Sequence, residues 1–136
     1  MAYDKPLPVP DPVTQPFWDG LKLGELRIQR CSACNDAVFY PRVVCPGCGS
    51  RKLAWTVCSG RGTVHAFTIA YRGTPAAFKG EAPYVVAMVE LEEGARLMTN
   101  LVDVEPSPET VKIGMPVEIV FDKVSETVTL AKFRPR

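Results

Sequence analysis

Cys31, Cys34, Cys45 and Cys48 form two Cys-x-x-Cys knuckles, and no other feature of the 136-residue sequence limits its fold as strongly. Thiolates separated by two residues meet at one point, because the turn between them aims both sulfurs and the neighbouring amides inward. Two such knuckles supply four soft ligands in a tetrahedron, a set that suits Zn2+ or iron. The turn residues agree with this. "CPGCGS" carries Pro46 to set φ and Gly49 to take a left-handed conformation, and "CSACND" places Asn35 at the equivalent position. Four thiolates close the coordination sphere, whereas a catalytic zinc keeps one position open. A structural Zn2+ on Cys31, Cys34, Cys45 and Cys48 is therefore expected, and His65, the single histidine, is not needed as a ligand. A rubredoxin-type iron centre needs the same four cysteines, and the spacing leaves that choice open.

The compartment bears on whether the knuckles are disulfides instead. The N-terminus "MAYDKPLPVP" has no apolar h-region of a secretory signal. No apolar run approaches the ~20 residues of a membrane span. A cytoplasmic chain is expected on these grounds, and structural disulfides are rare in that reducing environment. Sixteen basic and 15 acidic side chains leave a formal charge of +1, too even a balance to attract nucleic acid or anionic lipid over a distance.

Three parts are expected along the chain. Residues 1–25 comprise a proline-rich arm and a short helix, residues 26–56 a zinc ribbon, and residues 57–136 a barrel domain. Prolines at 6, 8, 10, 12 and 16 exclude helix or a sheet centre from the arm. Either a disordered tail or an arm over a partner subunit suits that composition. In "TQPFWDGLKLG", Thr14 is placed to cap a helix, Pro16 is tolerated in its first turn, and Phe17 stands one turn from Leu21. Leu26 and Ile28 alternate with Arg27 and Gln29, the pattern of a short strand running into Cys31.

From Arg61 onward the chain is rich in Val, Ile, Thr and aromatics. The segments 62–71, 83–92, 95–104, 115–121 and 126–133 read as five strands. Gly94 suits a tight hairpin, and a helical turn is expected over Thr110 to Gly114. The fold class is thus mainly β: a short N-terminal helix, a rubredoxin-like zinc ribbon, then a five-stranded Greek-key barrel of the OB type.

Signatures of catalysis are missing. Gly60-x-Gly62 precedes a strand and has His65 where a third glycine would sit, so it is not a dinucleotide loop. Cys58 lies outside both knuckles and has no acidic orienter for a pairing with His65. A small buried apolar residue is the expected role there.

The order of parts resembles a known family. "LRIQRCSACNDAVFYPRVVCPGCGS", "WTVCSGRGTVHAFTIAYR", "PYVVAMVELEEGARLMTNLVD" and "IGMPVEIVF" are similar to the acyl-CoA-associated OB-fold family with a rubredoxin-like zinc ribbon, over residues 14 to 135. The resemblance implies a non-catalytic accessory subunit, assembled in a hetero-oligomer with a thiolase-like or aldolase-like catalytic subunit, or with an acyltransferase or hydratase. It implies an acyl-CoA substrate shared with that partner. Asn35 replaces the family's usual glycine, and Cys58 is an uncommon residue before "SGRG". Arg61, Arg72 and Lys79 are the barrel's basic group and the candidates for a CoA phosphate, with scattered surface charge as the alternative. A competing function class is a module for single-stranded nucleic acid. That class needs a basic groove with stacking aromatics, which balanced charge and 9% aromatic content do not favour.

Overall fold

In the computed structural model, residues 5–72 and 75–136 are described, apart from the side chain of residue 79. The arm lies on its own barrel. The Lys5 ammonium pairs with Glu81 at 3.1 Å and sits 5.8 Å from the centroid of the Phe78 ring. Residues 5 to 8 thus lie against the barrel and are not a loose tail.

Helix α1 spans Gln15–Lys22 and buries Phe17, Trp18 and Leu21 on one face. Thr14 holds the capping position, but its hydroxyl does not cap. It accepts the Asp11 N–H at 3.0 Å, and the Thr14 N–H donates to the Asp11 carboxylate at 2.9 Å. The other end closes as a Schellman motif. Gly24 takes φ +77°, the Glu25 N–H donates to the Gly20 carbonyl at 2.8 Å, and the Gly24 N–H donates to Leu21 at 3.1 Å.

Strand β1 (Leu26–Cys31) is the centre of a three-stranded antiparallel sheet, between β2 (Ala37–Val38) and β3 (Leu53–Cys58). Six residue pairs join β1 to β3, from Leu26↔Cys58 to Cys31↔Leu53. The loop after β2 is tied down by Gln29, whose side-chain amide donates to the Arg42 carbonyl at 2.8 Å and accepts its N–H at 2.7 Å. That reciprocal pair explains a buried glutamine in the strand.

The barrel follows as β4 (Arg61–Ala70), β5 (Tyr84–Leu91), β6 (Arg96–Leu101), β7 (Pro116–Lys123) and β8 (Thr129–Pro135), with a 3₁₀ segment at Ala76–Glu81 that the sequence pattern does not announce. It closes in the order β4-β5-β6-β8-β7, as an OB-type barrel must. Alternation in β5 is complete, with Val85, Ala87, Val89 and Leu91 buried. Gly62 is needed where β4 passes β5: a Cβ there would run into the Glu90 carbonyl oxygen. Gly94 turns the β5–β6 hairpin at φ +101°. The turn expected over Thr110 to Gly114 falls earlier. The N–H groups of Thr110 and Val111 both donate to the Ser107 carbonyl, and Val111 is fully buried. Burying Val111 fixes the turn there.

The apolar core is continuous from the helix to the barrel. Phe17, Trp18 and Leu21 of α1 and Leu26 and Ile28 of β1 pack in one cluster with Val64, Val89, Val117 and Phe133. A second, small cluster holds Cys31, Val38 and Cys45 with Leu53 beside them.

Candidate metal centre

The two knuckles have the same backbone wiring. The Cys31 N–H donates to the Asp36 carbonyl at 2.9 Å and the Cys45 N–H to the Ser50 carbonyl at 2.8 Å. In return Asn35 donates to the Cys31 carbonyl at 2.7 Å and Gly49 to the Cys45 carbonyl at 2.9 Å. Asn35 and Gly49, the residues after each second cysteine, take φ +67° and +80°. Asparagine and glycine at these two positions are thus a requirement of the turn.

These turns bring all four sulfurs within 4.8 Å of one another. Two of the approaches run between knuckles, Cys31 to Cys48 at 3.6 Å and Cys34 to Cys45 at 3.7 Å. A disulfide needs about 2.05 Å. A tetrahedron with metal–sulfur bonds of about 2.3 Å has edges of about 3.8 Å. The spacing is that of four ligands around one ion. Cys31 and Cys45 are buried while Cys34 and Cys48 are exposed, so each knuckle anchors one sulfur and offers the other from the surface.

The thiols constrain one another electrostatically. Backbone N–H groups of Cys34 and Ala33 aimed at Cys31 hold its thiol down to about 6, against the effect of burial. At Cys34 the Asp36 N–H acts to lower the value, but burial and the hydrogen-bonded neighbouring sulfurs outweigh it and push the thiol up to about 12. One sulfur is prepared as a thiolate, and its charge makes the next one harder to ionise. A divalent cation among them removes that conflict, because coordination replaces the shared protons. The donor set fits a soft or borderline ion closed off by four thiolates.

The other residues singled out from the sequence are dispersed. Cys58 is buried where β3 leaves the ribbon. Burial, then the charge and hydrogen bonding of Glu93, push its thiol up to about 12, partly opposed by Arg30. It is a protonated packing residue. His65 is exposed at the irregularity between Val64 and Ala66 in β4. Arg61 opens β4, and Arg72 lies two residues beyond its other end at Ala70. At about 3.3 Å per residue, roughly 30 Å of strand separates them. They do not form the joint basic group expected of them, since a strand holds its ends apart. Arg61 instead shares a small surface cavity with Arg136, Glu90 and Glu92. The Lys79 side chain is outside the described residues.

The sequence reading missed the Glu93 junction. The Glu93 carboxylate accepts the Ser59 N–H at 2.9 Å, and the Glu93 carbonyl accepts from Arg30 at 3.1 Å. This ties the β5–β6 hairpin to β1 and to the two-residue link between ribbon and barrel. The signal was the run Glu92-Glu93-Gly94, which reads as ordinary hairpin charge until the fold brings Arg30 beside it.

Comparison with known proteins identifies the parts. Residues 18–54 match the ChsH2 rubredoxin-like zinc ribbon domain, and residues 55–122 match the ChsH2 C-terminal OB-fold domain. A probable enoyl-CoA hydratase alpha subunit of Thermomonospora curvata is 42% identical over 120 residues, covering 88% of this chain but 36% of that protein. A DUF35 domain-containing scaffold protein of Methanothermobacter thermautotrophicus is 43% identical over 98 residues, covering 71% of each. This chain thus spans about a third of the hydratase subunit and most of the scaffold protein. A chain of the Ltp2-ChsH2(DUF35) aldolase superposes with a TM-score of 0.80 at 38% identity, covering 95% of this chain and 98% of that one. Among the described residues no helix is long and apolar enough to cross a membrane. With both domain matches in chain order around four converging sulfurs, the protein belongs to the ChsH2/DUF35 family, which joins a rubredoxin-like zinc ribbon to an OB-fold domain.

Proposed function

We propose that this chain is a non-catalytic, zinc-holding subunit that assembles with a thiolase-like enzyme and supports its action on acyl-CoA substrates. The observation that carries this reading is the likeness, nearly end to end, to a chain of an aldolase assembled from Ltp2 and ChsH2(DUF35). Relatives named as a hydratase alpha subunit and as a scaffold protein support the same kind of role. Cys31, Cys34, Cys45 and Cys48 would hold Zn2+, which supplies structure to the ribbon, because four thiolates leave no position for substrate. Outside the four knuckle cysteines, Cys58 is buried with its thiol pushed up and His65 is exposed, so these two form no nucleophile–base pair among the described residues.

For CoA, the reading favours Arg72 in the segment that leads to the 3₁₀ turn and Pro83, with Lys79 as its neighbour in sequence; Arg61 is too far along β4 to share their phosphate. Co-expression with a thiolase-like chain from the same genome, followed by size-exclusion chromatography and a carbon–carbon cleavage assay, tests the assembly. Co-elution with raised activity is expected. Separate elution from a partner that is fully active alone overturns the proposal. Arg72→Ala should raise the KM for the CoA ester without dissociating the complex. Removing residues 1–24 is not a clean test, because it takes Phe17, Trp18 and Leu21 out of the core.

A further inference from the structure

Half of the metal site faces solvent. Cys31 and Cys45 are buried with Val38 and Leu53 around them, while Cys34 and Cys48, the second cysteine of each knuckle, are exposed. Each exposed sulfur also touches the buried sulfur of the other knuckle. Cys48 lies 3.6 Å from Cys31, and Cys34 lies 3.7 Å from Cys45. Oxidation-sensitive cysteines combine a thiolate that solvent reaches with a second sulfur close enough to resolve the product. A site closed by four thiolates holds every donor deprotonated, so both conditions are met while an ion is bound. Cys58 gives the internal contrast: it is buried beside Glu93 at the end of β3, outside the group of four sulfurs.

We propose that Cys34 and Cys48 are sites of reversible oxidation by hydrogen peroxide, and that their oxidation opens the metal site as a switch on the knuckles. The sulfur of Cys34 or Cys48 attacks one peroxide oxygen. An S–O bond forms, the O–O bond breaks, and hydroxide leaves behind a sulfenic acid. The sulfur in contact across the knuckles, Cys45 for Cys34 or Cys31 for Cys48, then attacks the oxidised sulfur. An S–S bond forms, the S–O bond breaks, and a second hydroxide leaves. Solvent protonates both hydroxides, so two electrons pass from the sulfur pair to the peroxide, which ends as two waters. A cluster cut to two thiolates no longer closes around an ion. A thiol reductant returns the disulfide to two thiols and restores the donor set.

The fold confines the effect. Val38 and Leu53 are too little apolar cover to keep the knuckles ordered without the ion. β1, by contrast, stays anchored by six residue pairs to β3 and by Leu26 and Ile28 in the large core. Oxidation therefore loosens residues 31–50 and spares the barrel. This inference rests on the four sulfurs holding a metal and is independent of the partner-subunit reading.

The test uses the full chain loaded with zinc and treated with hydrogen peroxide, with metal release followed by a chromogenic chelator. Wild-type protein should lose its ion, and Cys58→Ala should lose it equally fast. Mass spectrometry should find Cys34–Cys45 or Cys31–Cys48 disulfides. With dimedone present to trap sulfenic acid, adducts should fall on Cys34 and Cys48 and not on Cys58. Exchange protection at the Asn35 and Gly49 amides should vanish while Val64 and Val89 keep theirs, and dithiothreitol with zinc should restore it. Retention of the ion under peroxide that oxidises the urea-unfolded, metal-free chain would overturn the proposal. So would first oxidation at Cys58, disulfides formed only within each knuckle, or loss of protection at Val64 and Val89. A folded chain that takes up no zinc would remove the metal reading and this inference together.

Discussion

Around the four sulfurs, the buried apolar set is Cys31, Val38 and Cys45 with Leu53 beside them; under the helix and inside the barrel it runs from Phe17 to Phe133 without a break. The first group is too small to offset the entropy of ordering two knuckles and the loop between them, since each fixed residue costs roughly 1–2 kcal/mol. The second is an ordinary domain core. The contrast separates two sources of order in one chain: an ion for the knuckles, apolar burial for the rest. The ribbon sheet belongs to both, because Leu26 and Ile28 pack into the large core while Cys31, five residues on from Leu26, packs into the small one.

Metal removal should break the contrast most severely. Structural zinc contributes on the order of 10 kcal/mol to sites of this kind. Chelation, or Cys45→Ser, should abolish exchange protection at the Asn35 and Gly49 amides and release one ion per chain, read by elemental analysis. Amides of Val64 and Val89 should stay protected, because their core does not depend on the ion. Well-folded protein with neither zinc nor iron would remove the basis of the comparison.

The reverse experiment is Phe133→Ala. Phe133 is fully buried at the single β6–β8 pairing, and emptying such a site costs about 3–5 kcal/mol. The denaturation midpoint of the whole chain should fall, while metal content under native conditions stays at one ion. Gly49→Ala is smaller. A Cβ at φ +80° costs about 1–2 kcal/mol, here confined to one knuckle and read as weaker metal affinity with an unchanged barrel midpoint.

Cys58, at the joint between the regions, should show the smallest effect on stability. Its folded value near 12 is raised above the ordinary thiol value of 9.0, so its contribution is fully present below pH 9 and is lost only as pH rises toward 12. Between pH 6 and 9 its titration should leave stability unchanged. Alkylation at pH 8 sharpens the test: a thiol pushed this far up stays protonated, so modification should be slow until the joint opens. Rapid modification of the zinc-loaded protein would show that the joint is not packed as described.

The knuckles, the short helix and the five strands were legible in the sequence because each depends on local chemistry. Cysteine spacing, left-handed Asn35 and Gly49, and period-two alternation in β5 are properties of a few adjacent residues. The arm's contact with its own barrel was not legible, because nothing in its prolines announces Lys5 meeting Glu81 across 76 positions. Likewise, Arg61 and Arg72 look close in sequence, but an extended strand converts eleven positions into opposite ends of the barrel wall.

The sequence by itself determined the ligand chemistry, the division into ribbon and barrel strands, and the positions where only glycine or asparagine serves the turn. Tertiary structure alone decided that α1 belongs to the barrel's core, that Glu93 locks the ribbon to the β5–β6 hairpin, and that β8 closes the barrel against β6. The reason is the range of the forces. Dihedral preference and ligand spacing act within a few residues, whereas burial and strand pairing join residues distant in sequence, and only the folded chain shows which surfaces remain uncovered.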